Sequence, residues 1–338
     1  MGPRWMAQLA YGWRRPVVDG RRMDVSALAV AELVRLARPA GAAPLSVEAS
    51  RRALKEMVAR LDLPCPAGVQ RRDVTLPGAA GPLAVRLYDT DLGASSRPAL
   101  LYLHGGGWVQ GDLDAFDGLC GELARAAGLR VISLDYRLAP EAPWPAAPDD
   151  VLAAWRALIA DPGAAGIDPA RLAVGGDSAG ANLAAVLVHD LATAGQPGPA
   201  AQLLIYPALD LQDDTGSLES LREDAILPRR IIEWFLDLYL PPGADRTDPR
   251  IAPARSPHLH AAPPALILTA GHDPLRDQGA AHAARLRDAG VPVVLREYPG
   301  QIHAFLSLRR AIPEGRAALA EAAAWLAERQ TTRAVSGR

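Results

Sequence analysis

A serine able to act as a nucleophile stands at position 178, in the run Gly176-Asp177-Ser178-Ala179-Gly180. A short apolar stretch, 171–175, leads in, and a helical pattern, 181–195, leads out. Strand, sharp turn and helix make a nucleophile elbow with the hydroxyl exposed at its tip. The flanking glycines permit the turn, and the helix N-terminus beneath favours negative charge. The competing reading is an ordinary strand-to-helix turn with serine as N-cap. It loses weight because further parts of an acyl-transfer site accompany the serine.

The run His104-Gly105-Gly106-Gly107-Trp108 follows the apolar stretch 99–103. Consecutive glycines leave bare backbone N–H groups that can approach a ligand closely. A phosphate cradle would need G-x-G-x-x-G or G-x-x-x-x-G-K-[ST], and neither motif is present. An oxyanion hole needs N–H donors from the residue after the nucleophile and from the loop after an earlier strand. Ala179 is the expected first donor, and Gly105 and Gly106 are the expected second source.

A serine hydroxyl also needs a base. Of the seven histidines, His189 and His282 fall in helical patterns and His104 belongs to the glycine loop. His258 and His260 lie on the lid side of the chain. His303 follows the strand pattern 291–298 and the turn Pro299-Gly300. That is the carboxyl end of a strand, where ligand sites of parallel sheets lie. The imidazole in turn needs an acid to fix its tautomer. Asp273 sits just past the strand pattern 265–270. Asp277 is the rival and reads as a first-turn helix residue; His272, adjacent to Asp273, would point away. Ser178, Asp273 and His303 then stand in the chain order of α/β-hydrolases.

These groups meet only if several strands end together. Apolar runs at 99–103, 130–134, 171–175, 201–206, 265–270 and 291–298 suit strands buried on both faces of a parallel sheet. Helical segments such as 147–160 alternate with them, which implies a wound α/β sheet. Residues 70–76 and 82–88 alternate in polarity and read as a hairpin. Two helical patterns precede it: 24–37, with Leu33 and Leu36 in its apolar stripe, and 46–61, capped by Ser46 and carrying Leu54, Met57, Val58 and Leu61. The long interval after 206 contains a helical pattern at 229–240, read as an inserted lid. Its inward face is drawn from Trp234, Phe235 and Leu238; Trp108 and Asp177 complete the expected substrate pocket.

Residues 1–65 are expected to form an N-terminal cap segment and 208–245 the inserted cap helices. The core is then 66–207 with 246–330, and 331–338 is expected to be disordered. Asp135 and Arg137 read as an internal ion-pair and hydrogen-bond brace. The strand 291–298 is expected at a sheet edge, where Arg296 and Glu297 guard it or two copies pair as a homodimer.

Composition narrows the function further. The chain has 338 residues, 49% hydrophobic, with a formal net charge of −2, so no global field favours nucleic acid or an acidic membrane. Cys65 and Cys120 form no C-x-x-C pair and are expected as reduced thiols. The N-terminus has no apolar h-region, and no run approaches the ~18 apolar residues of a membrane span. A cytoplasmic protein without metal or other cofactor is expected.

Five stretches occur in family order: HGGGWVQGDLDAFDGLC (104–120), DYRLAPEAPWPAAPDD (135–150), GGDSAGANLA (175–184), DPLRDQG (273–279) and PGQIHAF (299–305). In these the chain resembles the hormone-sensitive-lipase-like branch of α/β-hydrolases, the bacterial family IV esterases. The resemblance spans roughly 70–310. It implies a mostly parallel central sheet flanked by helices, a helical cap, and a serine carboxylesterase for small to medium acyl chains. Ser178 would be the nucleophile, His303 the base, Asp273 the acid, and Gly105, Gly106 and Ala179 the oxyanion hole. Phe116 stands where relatives often have histidine, and 300–304 reads GQIHA where G-x-x-H-G is commoner. Amidase and acyltransferase chemistry use the same triad, and a non-catalytic small-molecule binding protein is the alternative of a different class.

Overall fold

The apolar runs become strands because they are covered on both faces. Leu100, Leu101, Tyr102 and Leu103 are all fully buried, as are Val131 and Ile132 and, further on, Leu203, Leu204 and Ile205. The structure, a computed structural model, describes residues 15–37, 46–210 and 216–336. Its main sheet has eight strands: β1 (Gln70–Pro77), β2 (Pro82–Asp89), β3 (Arg97–Leu103), β4 (Arg130–Leu134), β5 (Ile167–Asp177), β6 (Gln202–Ile205), β7 (Ala265–His272) and β8 (Val293–Ile302). Their spatial order is β8-β7-β6-β5-β3-β4-β2-β1. β3 to β8 are parallel; β1 and β2 form the expected hairpin, with β2 antiparallel to β4.

The helices lie on both faces and divide the core in two. The longer ones are α1 (Val25–Ala37), α2 (Val47–Leu61), α3 (Asp117–Ala127), α4 (Ala146–Ala160), α5 (Ala179–Thr193), α6 (Arg229–Tyr239), α7 (Arg276–Asp288) and α8 (Glu314–Ser336). Ser46 caps α2 as expected, its Oγ accepting the Ala49 N–H at 3.2 Å. Asn182 in α5 donates to the carbonyls of Ala208 and Ile251 at 2.8 and 2.9 Å. One amide thus ties the chain at Ala208 and at Ile251 to the helix behind Ser178.

Several expectations shift. Helix α1 buries Val25, Ala27, Leu28, Val30 and Ala31, but Leu33 and Leu36 are exposed, because its packed face ends after two turns. The segment 331–336 continues α8: nothing between Thr331 and Ser336 breaks a helix, and the first glycine is Gly337. Residues 1–14, 38–45, 211–215 and 337–338, which fall in the expected cap and tail, lie outside the described residues. Arg137 does form a brace, but with Asp150, not Asp135: Nε and Nη2 donate to its carboxylate at 2.7 and 2.8 Å. β8 lies at the sheet edge, with Arg296 paired to Glu321 and Glu297 to Arg21 inside the chain. No helix among the described residues is long and apolar enough to cross a membrane.

The C-terminus of α2 is tied to the segment that follows β8. Asp62 accepts the Arg309 Nε–H and Nη2–H, both at 2.7 Å, and both side chains are buried. Replacing Asp62 with Ala strands a buried guanidinium, which typically costs about 3–5 kcal/mol. Asp62→Ala is therefore expected to lower the urea midpoint substantially. A midpoint equal to that of the parent would show that the pair carries little of the docking of α2.

Candidate active site

Ser178 stands between β5 and α5 with φ 55° and ψ −118°, a left-handed conformation rare for a residue with a side chain. The turn closes because its neighbours carry no Cβ. At Gly176 and at Gly180 a methyl group would collide with the Leu103 carbonyl oxygen. The Ser178 N–H donates to the Ile205 carbonyl at 2.8 Å, which ties the turn to the end of β6.

His303 and Asp273 come from the ends of β8 and β7. The Ser178 hydroxyl donates to His303 Nε2 at 3.0 Å, and the His303 Nδ1–H donates to Asp273 Oδ2 at 2.8 Å. Asp273 also accepts the Leu275 N–H at 2.8 Å, which fixes the carboxylate on its loop. The rivals are elsewhere. Asp277 pairs with Arg276 and accepts the Ser217 N–H; His272 is buried away from the serine. Burial disfavours the His303 imidazolium, but the Asp273 carboxylate, with Asp177 and Asp224 behind it, outweighs burial and raises its pKa.

The glycine loop is built around two buried side chains. Asp177 Oδ1 accepts the Tyr102 hydroxyl at 2.7 Å and the Gly105 N–H at 2.9 Å. Burial pushes the Asp177 carboxyl up to about 6, against those two hydrogen bonds. Gly105 is thereby removed from the expected oxyanion donors: its N–H is committed to Asp177. Gly106 and Gly107 instead border the cavity beside Ser178 and Ala179. Ala179 opens α5, so its N–H has no partner within the helix. His104 serves the loop, not the chemistry. Burial lowers its pKa to about 4, its Nδ1–H donates to the Gly105 carbonyl at 2.8 Å, and Phe116 stacks on its ring.

A cavity of about 160 Å³ opens over Ser178. Trp108, Asp177, Trp234 and Phe235 line it as expected; Leu238 does not, because it packs against the core instead. Ile231 and Ile232 take its place. The sequence reading also missed Ser50, Leu54, Met57 and Val58 of α2 as lining residues. Their spacing along one helical face was the available signal. No group of three or more His, Cys, Asp or Glu suited to a metal ion occurs among the described residues.

A hydroxyl, an imidazole and a carboxylate in this relay can generate an alkoxide and carry its proton to a leaving group. A family model described as the alpha/beta hydrolase fold matches residues 100–307. The chain belongs to this family, in its hormone-sensitive-lipase-like branch. It is 44% identical over 235 residues to an ethyl acetate hydrolase of Pseudomonas putida, covering 69% of this chain and 74% of that protein. It is 38% identical over 271 residues to the carboxylesterase NlhH of Mycobacterium tuberculosis, covering 79% and 84%. Among solved structures, an ester hydrolase from the metagenome of Lake Arreo, complexed with a bipyridine phosphonate derivative, superposes with a TM-score of 0.86. The pair is 38% identical, covering 90% of this chain and 98% of that one. Ser178, Asp273 and His303 lie at the ends of three strands, so the hydrogen bonds that join them depend on sheet register.

The His303 environment makes a testable statement about protonation. Its imidazole is expected to titrate above the ordinary histidine range. In Asp273→Asn the carboxylate's attraction is lost while burial remains, so the titration moves to lower pH. NMR of the ring protons and nitrogens checks this; an unchanged midpoint would remove Asp273 as the partner.

Proposed function

We propose that this protein is a serine carboxylesterase cleaving small to medium, uncharged esters through an acyl-enzyme intermediate. The observation that carries the reading is the relay of 3.0 and 2.8 Å from Ser178 through His303 to Asp273, facing an apolar cavity. Ser178 Oγ attacks the ester carbonyl while His303 Nε2 takes the hydroxyl proton. The tetrahedral oxyanion is held by the N–H groups of Gly106, Gly107 and Ala179. His303 then protonates the departing alcohol, and water, deprotonated by the same imidazole, releases the acid.

The substrate range follows from the lining. Residues from both α2 and α6 close over the serine, and the only ionisable side chains in the cavity wall among the described residues are Asp177 and His303. Neither offers a permanent cation for an anionic substrate. The volume, about 160 Å³, lies below the ~300 Å³ at which pockets for drug-sized molecules begin. The names of the relatives, an ethyl acetate hydrolase and a carboxylesterase, agree with this. For assembly we propose a homodimer through the outer edge of β8, supported by its terminal place in the sheet. Light scattering should then report twice the chain mass, and Leu295→Pro, which deletes an N–H on the outer side of the strand, should halve it, since the Ala265 N–H bonds to the Pro292 carbonyl and the register puts the neighbouring Val294 on the inner side; a monomer mass for the parent refutes the assembly.

On p-nitrophenyl acetate and butyrate, Ser178→Ala, His303→Ala and Asp273→Asn are each expected to lose roughly 10⁴ in kcat while remaining folded. The double variant Ser178→Ala/His303→Ala should be little worse than either single. Additive losses, or a fully active Ser178→Ala, would overturn the triad. In an acyl-length series, Trp234→Ala and Ile231→Ala should extend the range to longer chains. Leu238→Ala, outside the cavity, should leave the profile where it is.

A further inference from the structure

Two cap helices grip the turn that carries Gly106 and Gly107. From one side comes Arg51 of α2. Its Nε–H donates to the Val109 carbonyl at 2.8 Å and its Nη2–H to the Ala139 carbonyl at 3.0 Å. Both terminal nitrogens also bind the Glu141 carboxylate, at 2.8 and 2.7 Å. The Ala139 N–H in turn donates to the Trp108 carbonyl at 2.9 Å, so helix, turn and neighbouring segment close a ring of contacts. Beside it, the Ser50 hydroxyl donates to Gln110 Oε1 at 3.0 Å. From the other side comes α6. Phe235 covers Gly107 so closely that a Cβ there would strike the ring, and Tyr239 stacks flat on Trp108 with centroids 4.6 Å apart.

The turn needs such outside support. Gly106, Gly107 and Trp108 all have positive φ, at 121°, 60° and 60°. Glycines leave many other conformations open, and the tryptophan pays strain to stay in this one. Inside the turn, only the Val109 and Gln110 N–H groups hold it, both donating to the Gly106 carbonyl at 3.2 and 3.0 Å.

We propose that Arg51 is a positioning residue for the oxyanion hole: by binding the Val109 and Ala139 carbonyls together, it keeps the N–H groups of Gly106 and Gly107 aimed at the reacting oxygen. The inference rests on the esterase reading above. Arg51 does not border the cavity, so it acts on the ester only through the turn. Arginine suits the task because its planar fork reaches two carbonyls and a carboxylate at once; a lysine ammonium is a single point. The benefit falls on the transition state, since the oxygen becomes charged only there. Docking of α2 therefore contributes to catalytic rate as well as to the shape of the pocket.

The experiment compares Arg51→Ala, Arg51→Lys, Ser178→Ala and Arg60→Ala, the last removing an exposed ion pair with Glu56 on the same helix. Each variant is checked by circular dichroism and melting, then assayed for kcat and KM on p-nitrophenyl butyrate. The second readout is Ki for an aliphatic trifluoromethyl ketone. Ser178 Oγ adds to its carbonyl carbon, the hydroxyl proton passes to His303, and the former carbonyl oxygen becomes an oxyanion among the donors. Arg51→Ala is expected to lower kcat about 10–100-fold, as a slight misplacement of donors does, with KM within about threefold. Ki should rise by the factor lost in kcat/KM, Arg51→Lys should fall in between, and Arg60→Ala should match the parent. A folded Arg51→Ala with unchanged kcat and Ki overturns the proposal. So does a loss carried wholly by KM with an altered acyl-length profile, since α2 would then only shape the cavity. If Arg51→Ala fails to fold, the same readouts on Arg51→Lys decide, and parental values there overturn it. Full activity in Ser178→Ala is a different result, and refutes the esterase reading itself.

Discussion

The left-handed backbone at Ser178 is the constraint on which the rest of the site depends. A side-chain-bearing residue at φ 55° costs on the order of 1–3 kcal/mol, and it persists only where surrounding contacts leave no relaxed alternative. Those contacts are the Ile205 carbonyl on the Ser178 N–H and the bare Cα atoms of Gly176 and Gly180 against Leu103. The same close approach brings the end of β3 against the start of α5. The glycine loop emerging from β3 therefore has to begin beside the serine. Asn182, one turn into α5, holds the chain at Ala208 and again at Ile251. Ser178, the glycine loop and the segment between Ala208 and Ile251 are thus positioned from one turn.

Charge in the site is arranged with equal economy. Of the carboxylates that act on His303, Asp273 and Asp177 do different work. Asp273 accepts the imidazole N–H directly and draws the ring toward its protonated form, as a base in the transition state requires. Asp177 is turned away, onto Tyr102 and the Gly105 N–H, and burial holds its pKa near 6. A bare anion there would oppose the oxyanion; spent on the loop, the same carboxylate fixes the approach to Gly106. This is also why the first glycine of the run cannot be a donor.

The sequence carried the strand order of events well and the side-chain directions less well. That Ser178, Asp273 and His303 would meet was legible because each lies at a strand end, and strand ends follow from short apolar runs. The edge position of β8 followed from its being last. Gly105 was misassigned because three consecutive glycines look alike until the Asp177 carboxylate selects one of them. Leu238 was misplaced because α6 has apolar residues on more than one face, and only packing decides which of them meets the cavity. The contribution of α2 was hidden for another reason. Leu54, Met57 and Val58 read as a helical stripe, but no local pattern says whether such a stripe meets a core or an active site. Arg137 found Asp150 instead of Asp135 because the partner is a helical residue brought close only by the fold.

Specificity and rate are joined in this architecture. The turn proposed as the oxyanion hole is glycine-rich, which would let its N–H groups reach a bound ester, and the same lack of side chains leaves it with little internal support. That support has to come from neighbours, and the available neighbours are the helices that also wall the cavity. Phe235 both lines the pocket and covers Gly107; Arg51 lies one residue from Ser50, which borders the pocket. On the proposed mechanism, a substitution in these helices that admits a longer acyl chain also disturbs the proposed oxyanion donors. Changes confined to Trp234 and Ile231, which border the cavity while Phe235 and Tyr239 hold the turn, offer the route to altered selectivity with least loss of turnover.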